Sequence, residues 1–458
     1  MPDLPNILLL ISDQHAPQVT GCYGGDFVRT PHLDRLAAEG VTFDNAYCNH
    51  PHCVPSRAAL MTGLETHHIP CYDFLSSYPS RLPTWAHMLR RAGYRTQMNG
   101  KMHFMGPDQL HGFHQHVNEP NHDIGGFRWG QENPDPRKGL EYWRDLHHEG
   151  DPMYETRISS ELCKVADASR FIHGAARRDE PFCLTVGFFG PHYPQICSKR
   201  TFDSYADTDI PEPKPGDTLH PRNQHWAKCW GFDRFTDADT QQGRQAYLAM
   251  CTEVDDWCGR ILQALEDSGQ ADNTIVIYAS DHGEMWGEHG IWGKQCFYEE
   301  SARVPLIARG PRLGVQRGKR IDTPVTLLDL YPTFRELAGC DDWDVPLDGR
   351  SLVGALHGDE LESIPVFSEY YGPDIAGPER MCRLGNFKLN YYHNSGAELF
   401  DLEQDPGERN NLADDPAHAD KREELMKHAT AGWDPEALDA SVREDQNRRT
   451  LLSESLTR

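Results

Sequence analysis

Runs of consecutive apolar residues alternate along the chain with segments in which apolar residues recur at helical spacing. An unbroken apolar run bounded by polar residues is typical of a strand buried on both faces of a parallel sheet. Such runs cover residues 6–12, 181–189 and 273–280. Segments with helical spacing cover residues 31–40, 84–93, 158–177, 240–268 and 325–338. The alternation predicts an α/β fold in which helices sandwich a large, mixed but mostly parallel sheet.

The pattern changes after about residue 346, where short strand-like segments are separated by turns and followed by one helical segment. These elements predict a small antiparallel sheet with a helix packed on it. We therefore expect a main α/β domain over residues 1–350 and a smaller α+β unit over residues 351–433. The polar residues 434–458 predict a tail, which is a candidate contact between subunits.

Composition narrows the range of partners. The formal net charge of the 458 residues is −25, which disfavours binding to nucleic acid or to an anionic membrane surface. No apolar run approaches the roughly 20 residues that cross a bilayer, and the first residues lack the basic start of a signal peptide. The 13 cysteines are irregularly spaced, which indicates reduced thiols rather than a disulfide framework. We expect a cytoplasmic protein.

One stretch concentrates reactive chemistry: Cys53-Val-Pro-Ser-Arg57, followed by Ala-Ala-Leu-Met-Thr-Gly63. A helix is predicted to begin near Ser56 and to end at Gly63. Cys53 would then lie just before a helix N-terminus, whose unpaired N–H groups favour negative charge, with the Arg57 guanidinium one turn further on. A nucleophile, a helix start and a fixed cation in one short stretch indicate a site for an anionic substrate.

Two of the predicted strands end in side chains that ligate metals. Asp13-Gln14 follows the first strand, and Asp281-His282 follows the strand at 273–280. Carboxylates that converge at the carboxyl ends of parallel strands supply the oxygens that hard divalent cations prefer. A single Asp after a strand is more often a helix N-cap or a turn residue, so the metal hypothesis depends on the combination of both pairs with Cys53.

Four further cationic or titratable side chains follow predicted strands. Lys101 and His103 alternate at the end of a predicted strand, so we expect both to face the same way. His192 and Lys294 lie in loops that come after the strands at 181–189 and 273–280. In a chain with a large negative charge, such groups near Cys53 indicate a site for a tetrahedral oxyanion.

The stretch from Cys53 to Gly63 resembles the sulfatase signature, in which the cysteine is oxidised to formylglycine. With Gly100-Lys-Met-His-Phe104 and the segment from Gly106 to Phe113, it makes nearly the whole chain similar to type I sulfatases of the alkaline phosphatase superfamily. The similarity is strongest to choline sulfatases, and phosphonate monoester hydrolases are near relatives. The resemblance implies an alkaline-phosphatase-like catalytic domain in residues 1–350 and hydrolysis of small alkyl or aryl sulfate monoesters.

The resemblance also implies the roles of individual residues. A formylglycine-generating enzyme would convert Cys53 to formylglycine, which hydrates to a diol. The ligands of one divalent metal, with Ca²⁺ favoured and Mn²⁺ as the alternative, would be Asp13, Gln14, residue 53, Asp281 and His282. The catalytic residues around the sulfate would be Cys53, Arg57, Lys101, His103, His192 and Lys294.

In the mechanism that the family implies, an ionised diol oxygen attacks sulfur in line and leaves a covalent sulfo-enzyme. Arg57, Lys101 and Lys294 stabilise the developing charge. His192, alone or with Lys294, protonates the leaving alcohol. The second diol hydroxyl then loses its proton, with His103 as the candidate base, and sulfate is expelled.

This chain departs from the family pattern at positions that bear on the metal and on specificity. Gln14 stands where many sulfatases carry a second Asp, and Phe74 stands where choline sulfatases carry Asn. The loss of that amide weakens an assignment to choline sulfate. Phe74, Trp129 and Tyr193 are candidates for contact with the alcohol part of the substrate, and core packing is an equally good interpretation of the two latter residues.

Three hypotheses stay open at this point. The first is a sulfate ester hydrolase acting on a small-molecule sulfate, and the second is a phosphonate monoester or phosphodiester hydrolase on the same scaffold. Members of the second class typically carry uncharged side chains at the positions of Lys101 and His103, which favours the first. The third is a binding protein in which Cys53 stays unmodified. We also expect a homo-oligomer, a dimer or tetramer, because related enzymes often associate through C-terminal segments.

Overall fold

The computed structural model describes residues 4–118, 141–178, 180–215, 219–372 and 375–456. The strands are β1 (Asn6–Ser12), β2 (Val41–Phe43), β3 (Ala46–Tyr47), β4 (Arg95–Gly100), β5 (Gln115–Val117), β6 (Leu146–His147), β7 (Phe182–Gly187), β8 (Gln195–Ile196), β9 (Thr274–Ser280), β10 (Arg303–Val304), β11 (Leu306–Arg309), β12 (Lys319–Ile321), β13 (Val325–Thr326), β14 (Val366–Tyr370), β15 (Glu379–Leu384), β16 (Phe387–Tyr392) and β17 (Gly396–Asp401).

The α-helices are α1 (Pro31–Ala38), α2 (Cys53–Thr62), α3 (Trp85–Arg91), α4 (Pro152–Ala175), α5 (Lys199–Asp203), α6 (Pro221–Trp230), α7 (Asp237–Asp267), α8 (Glu299–Ala302), α9 (Leu330–Leu337), α10 (Val353–His357), α11 (Ala419–Thr430) and α12 (Pro435–Leu456). Short 3₁₀ helices lie at Pro17–Val19, Gly21–Tyr23, Thr66–His68, Phe232–Arg234, Ala271–Asn273, Glu288–Gly290, Pro311–Leu313, Leu327–Asp329 and Pro416–His418. Among the residues that the structure describes, no helix is both long enough and apolar enough to cross a membrane.

A large mixed sheet forms the centre of the molecule, with the strand order β12-β2-β11-β9-β1-β7-β4-β5. β1 runs parallel to both of its neighbours, β9 and β7, while β11 is antiparallel to β9 and to β2. Every residue of β1 and β9 is buried, as expected for central strands covered on both faces. The predicted mixed, mostly parallel sheet is confirmed.

Helices cover both faces of this sheet because successive side chains of its central strand are apolar in both directions. Ile7, Leu9 and Ile11 of β1 belong to the core that packs under α2 and α3. Leu8 and Leu10, which point the opposite way, pack against the core formed with α4 and α7. The two cores make the three-layer sandwich that the apolar runs predicted.

The C-terminal part contains the predicted small antiparallel sheet, with strand order β14-β15-β16-β17. Leu425 and Ala429 of α11 pack against Leu389 and Leu399 of this sheet. The small α+β architecture is confirmed, whereas the domain boundaries at residues 350 and 433 stay a prediction.

Residues 434–458 were expected to form a tail, and residues 435–456 instead form helix α12. The helix packs on its own chain, because Leu438 and Val442 join Tyr371 in a small apolar cluster. Near its end, the Arg449 guanidinium lies 2.6 Å from the Asp73 carboxylate. A role of this segment between subunits stays a prediction.

Two predicted helix boundaries are wrong for local reasons. Helix α4 begins at Pro152, capped by the Asp151 side chain, whereas its start was predicted at residue 158, because the mostly exposed first turn has no apolar periodicity. The segment predicted as a helix from residue 325 begins as a strand, because Val325 pairs with Ala46 of β3. A 3₁₀ turn follows, and the α-helix begins only at Leu330.

Candidate active site

The carboxyl ends of the two central strands position the acidic residues of the site. β1 and β9 are parallel, with Ser12 opposite Ser280, so Asp13 and Asp281 emerge side by side at one edge of the sheet. Both carboxyl groups are fully buried. The backbone N–H of Gln14 donates a hydrogen bond to the Asp281 carboxylate at 3.1 Å, which holds the two strand ends together.

Cys53 lies directly beside these carboxylates. It is the first residue of α2, with His52 as N-cap, so the helix begins earlier than the predicted start at Ser56. Pro55 misled the prediction, although a proline is tolerated in a first helical turn, where its missing N–H has no intrahelical partner. The Cys53 Sγ atom lies 3.2 Å from Nε2 of His282 and 3.7 Å from an Asp13 carboxylate oxygen.

The Cys53 thiol is held in its neutral form. Burial, followed by the negative charge of Asp13, raises the pKa of this thiol to about 11. An unmodified thiol at this position is therefore almost fully protonated at neutral pH and is a weak nucleophile.

Arg57 joins the two carboxylates. Its Nε donates to Asp281 at 2.8 Å, and one terminal nitrogen donates to Asp13 at 3.1 Å. The other terminal nitrogen donates to the carbonyl oxygen of Lys101 at 2.6 Å. Burial opposes its charge, but Asp281 and Asp13 raise the pKa of the guanidinium above its ordinary value. The planar fork of donors fixes both strand ends relative to the helix that carries Cys53.

Lys101 and His103 were predicted to alternate at a strand end, but both residues lie beyond the strand. β4 ends at Gly100, and the Lys101 ammonium lies 2.5 Å from the Asp13 carboxylate. His103 has a φ of 60° and packs edge-on against Phe74, with ring centroids 4.9 Å apart. The Lys101 ammonium therefore contacts the buried Asp13 carboxylate directly, whereas the His103 ring packs beside Phe74.

Lys294 and His192 form a hydrogen-bonded pair. Lys294 Nζ lies 2.8 Å from His192 Nε2, 2.5 Å from the Gln14 amide oxygen and 3.6 Å from the Cys53 sulfur. His192 Nδ1 lies 2.6 Å from the carbonyl oxygen of Tyr193. A carbonyl only accepts, so Nδ1 carries the hydrogen and Nε2 accepts from the Lys294 ammonium. Burial, followed by the charge of Lys294, holds the pKa of His192 well below its ordinary value.

Three buried cations stand among the acidic residues of the site. Arg57 and Lys101 contact the carboxylates of Asp13 and Asp281, and Lys294 lies 3.6 Å from the Cys53 sulfur. Burial alone would raise the pKa of the Asp13 carboxyl, but its cationic neighbours, Lys101 first, bring it well below the ordinary value. Three cations in one place of an acidic protein suit the binding of an anionic substrate.

Four of the predicted metal ligands converge. Donor atoms of Asp13, Cys53, Asp281 and His282 all lie within 4.8 Å of one another, and all four residues are buried. His282 Nδ1 lies 3.0 Å from the carbonyl oxygen of Gly283, so Nδ1 donates there and the Nε2 lone pair faces the cluster. Burial lowers the pKa of His282 to about 4, which keeps the ring neutral, as ligation requires. This donor set fits a divalent cation.

Gln14, the fifth predicted metal ligand, lies against this cluster in a left-handed backbone conformation with φ of 70°. Its amide nitrogen donates to the Glu284 carboxylate, and its amide oxygen accepts from Lys294. The side chain therefore connects the metal-ligand cluster with the Lys294–His192 pair. Its role as a ligand stays a prediction.

The residues predicted to contact the alcohol part of the substrate divide into two groups. Phe74 is half-buried and stacks on His52, the residue before Cys53, with ring centroids 5.5 Å apart. Tyr193 lies on the other side, with its ring 5.0 Å below Lys294 Nζ and 4.1 Å from the His192 ring. Trp129 lies outside the described residues.

Three residues for which no role was predicted also contact the site. Glu284 is hydrogen-bonded to Gln14, His52 stacks on Phe74, and the Phe189 ring lies beside Lys101 Nζ. Glu284 is buried and accepts hydrogen bonds from the backbone N–H groups of Trp286 and Gly293 as well as from Gln14. Its position two residues after His282 was the only available signal. The contacts of His52 and Phe189 are with residues distant in sequence, so no local sequence pattern predicted them.

Comparison with known proteins identifies the family. A sequence profile described as Sulfatase matches residues 5–340. The chain belongs to the sulfatase family. A second profile, described as N-sulphoglucosamine sulphohydrolase, C-terminal, matches residues 287–432 of this sulfatase. The predicted family membership is confirmed, and the protein is a sulfuric ester hydrolase.

Individual relatives span most of this sulfatase. Choline-sulfatase of Rhizobium meliloti (strain 1021) is 35% identical over 474 residues, which cover 99% of this chain and 91% of the relative. Arylsulfatase K of Bos taurus is 31% identical over 459 residues, which cover 90% and 79%. The crystal structure of the phosphonate monoester hydrolase of Agrobacterium radiobacter matches with a TM-score of 0.75 and 24% identity over 96% of each chain, which shows the shared fold.

Proposed function

We propose that this sulfatase hydrolyses small alkyl or aryl sulfate monoesters with formylglycine at position 53 as the nucleophile. The observation that carries the proposal is the position of Cys53, at the start of a buried helix and within hydrogen-bonding distance of Asp13, His282 and Lys294. A hydrated aldehyde at the same place supplies two hydroxyl groups, one to attack and one to expel the product.

The divalent cation would be held by Asp13, Asp281, His282, residue 53 and Gln14. When bound, such an ion favours the ionised form of a neighbouring hydroxyl and withdraws charge from a sulfate oxygen. Imidazole and carboxylate donors together suit Mn²⁺ as well as Ca²⁺, and we retain Ca²⁺ as the favoured ion from the family resemblance.

The residues of the chain supply the remaining steps. A hydroxyl oxygen of residue 53 forms a bond to sulfur while the bond from sulfur to the leaving alcohol breaks. Arg57, Lys101 and Lys294 stabilise the sulfuryl oxygens. The Lys294–His192 pair delivers the proton to the alcohol oxygen.

In the second half of the reaction, the other hydroxyl of residue 53 loses its proton. The aldehyde forms again as the carbon–oxygen bond to sulfate breaks. His103, whose ring packs edge-on against Phe74, is the candidate base for this step. Sulfate then leaves the site.

The alternative substrate class is a phosphonate monoester or a phosphodiester on the same scaffold. Lys101 favours sulfate monoesters, because its ammonium is buried at the acidic centre and adds positive charge there. A turnover screen with choline sulfate, aryl sulfates, sugar sulfates and a phosphonate monoester ranks the classes by kcat/KM. Phosphonate turnover above that of every sulfate ester would favour the alternative.

Intact-mass measurement tests the proposed nucleophile. Conversion of cysteine to the aldehyde lowers the mass by about 18 Da, and an aldehyde-reactive hydroxylamine labels the same residue. We expect the Cys53→Ala variant to keep its fold and to lose turnover and labelling. Cys163 is exposed, so the Cys163→Ala variant is the matched control and should keep both. An unmodified Cys53 together with full turnover would contradict the proposal.

Maturation by a formylglycine-generating enzyme follows from this proposal. A cytoplasmic location and assembly into a homodimer or homotetramer stay predictions from the sequence.

A further inference from the structure

Arg157 lies beside the proposed proton donor. It projects from helix α4, and its guanidinium carbon lies 3.8 Å from the centroid of the Phe189 ring. One terminal nitrogen donates to the backbone carbonyl oxygen of His192 at 3.3 Å. The same Phe189 ring contacts Lys101 Nζ at 4.3 Å and the His192 ring at 5.3 Å. Arg157 is therefore one aromatic ring away from the sulfate site.

Within the part of the chain that the structure describes, no carboxylate lies at ion-pair distance from the Arg157 guanidinium. Two more distant acids, Glu161 and then Asp13, oppose the lowering of its pKa by burial. Glu161 pairs with the buried Lys164 at 3.1 Å, and Asp13 is paired within the sulfate site. The Arg157 side chain is half-buried, and this desolvation lowers its pKa to about 10.

An uncompensated, partly desolvated guanidinium is costly unless something anionic binds to it. Stacking on Phe189 satisfies one face of the group, and the bond to the His192 carbonyl uses one of its five N–H donors. The remaining donors form a planar fork that matches two oxygens of a carboxylate or a sulfate.

We propose that Arg157 binds a second anionic group, a carboxylate or a second sulfate, on the alcohol part of the substrate. The inference rests on the proposed function, in which His192 faces the leaving oxygen. Arg157 contacts the backbone of His192, so in this proposal the alcohol part extends from the leaving oxygen past His192 towards the guanidinium. Tyr193 packs on the His192 ring and would offer an aromatic surface to the alcohol part.

The same charge disfavours a cationic alcohol such as choline. A quaternary ammonium group near Arg157 would meet repulsion, and the Phe74 position lacks the amide that choline sulfatases carry. This sulfatase should therefore rank its substrates in the order anionic, neutral, cationic.

A matched series of phenyl sulfates tests this order. The ring carries, at the meta or para position, a carboxymethyl arm, a sulfoethyl arm whose sulfonate mimics a sulfate without an ester bond, a neutral carbamoylmethyl arm or a cationic aminoethyl arm. The methylene spacer keeps the leaving phenol nearly constant across the series. Steady-state kcat and KM are measured for the wild-type enzyme and for Arg157→Gln, Arg157→Lys and Arg170→Gln. Arg170 is exposed on the same helix and serves as the control.

We expect wild-type kcat/KM for an anionic arm to exceed that for the amide arm by about tenfold to a hundredfold, the size of a charge-assisted hydrogen bond. Arg157→Gln should remove this preference mainly through KM, so the loss on the anionic arms should be at least tenfold larger than the loss on the amide arm. Arg157→Lys should retain part of the preference, and Arg170→Gln should retain all of it. The anionic arm, carboxymethyl or sulfoethyl, whose kcat/KM falls more in Arg157→Gln identifies the anionic group that Arg157 binds.

Two results would overturn the inference while leaving the proposed function in place. One is equal wild-type turnover of the anionic and amide substrates. The other is an equal loss on all four arms in Arg157→Gln, which would mean that Arg157 only supports Phe189 and His192. If no sulfate ester were hydrolysed by the wild-type enzyme, the proposed function would fail, and the inference with it.

Discussion

The Lys294–His192 pair makes a strong prediction about leaving groups. His192 donates from Nδ1 to the Tyr193 carbonyl at 2.6 Å and accepts at Nε2 from Lys294 at 2.8 Å. His192 therefore has no second proton of its own, and the proton for the leaving alcohol belongs to the pair. Replacement of His192 by alanine breaks the route from the Lys294 ammonium to the leaving oxygen.

General acid catalysis contributes about 10²–10⁴-fold to a step that needs it, or roughly 3–5 kcal/mol of transition-state stabilisation. The hydrogen bond between His192 and the Lys294 ammonium is the reason to expect a contribution of this size. We expect His192→Ala to lose this whole factor with phenyl sulfate or an alkyl sulfate. With 4-nitrophenyl sulfate the leaving group departs as a stable anion, and the loss should stay below about tenfold.

The assay is a series of substituted phenyl sulfates with graded acidity of the phenol. The logarithm of kcat/KM is plotted against the pKa of the leaving phenol for each enzyme. The wild-type line should be shallow and the His192→Ala line steep. His173 is exposed on helix α4, and His173→Ala should follow the wild-type line.

The Lys294→Met variant tests the other member of the pair. It should steepen the line in the same way and also lower all rates, because Lys294 contacts Gln14 and Cys53 as well. Parallel lines for wild type and His192→Ala, with one constant loss over the whole series, would refute the assigned role of His192.

Three further predictions follow from the structure. Arg449→Ala removes the ion-pair partner of the buried Asp73 carboxylate, so it should lower the free energy of unfolding by about 3 kcal/mol. Because Phe74 is the next residue, the same variant should raise KM for aryl sulfates. An unchanged denaturant midpoint would contradict the pairing. Burial lowers the pKa of His67, but the hydrogen bond to Glu369 outweighs burial and raises this pKa. The His67–Glu369 contact therefore stabilises the fold below the pKa of His67 in the unfolded chain, and this stabilisation is lost as pH rises through the pKa in the folded protein. His67→Gln should therefore cost about 1 kcal/mol more at pH 5.5 than at pH 8.5 in thermal unfolding, and a pH-independent cost would argue against it. Chelation should abolish turnover and lower the melting temperature, and Ca²⁺ or Mn²⁺ should restore both; full activity after exhaustive chelation would exclude the metal site.

Local sequence predicted the central strands and the reactive stretch well, because their signals do not depend on distant residues. Burial on both faces requires an unbroken apolar run, and β1 and β9 show one each. The order Cys53 to Arg57 places a nucleophile and a cation one helical turn apart whatever surrounds them. Exposed first turns carry no such signal, which is why the start of helix α4 was misplaced.

The family resemblance supplied the residue roles, and the structure supplied their contacts. Asp13, Cys53, Asp281 and His282 converge, as expected from the ends of the two predicted strands together with the Cys53 motif and the family resemblance. Lys101 and His103 lie beyond the end of β4, so strand alternation does not govern their directions, and a common orientation of the two side chains stays a prediction.

By itself, the sequence determined a mostly parallel α/β sandwich with Cys53 and Arg57 at one helix start, since periodicity and short motifs are local properties. Only the tertiary structure decided that Arg57 spans two carboxylates that are separated by most of the chain. It also decided that Arg157 lies beside His192 without an acidic partner among the described residues. Such contacts depend on strand register and helix packing, which bring together side chains that no local pattern connects.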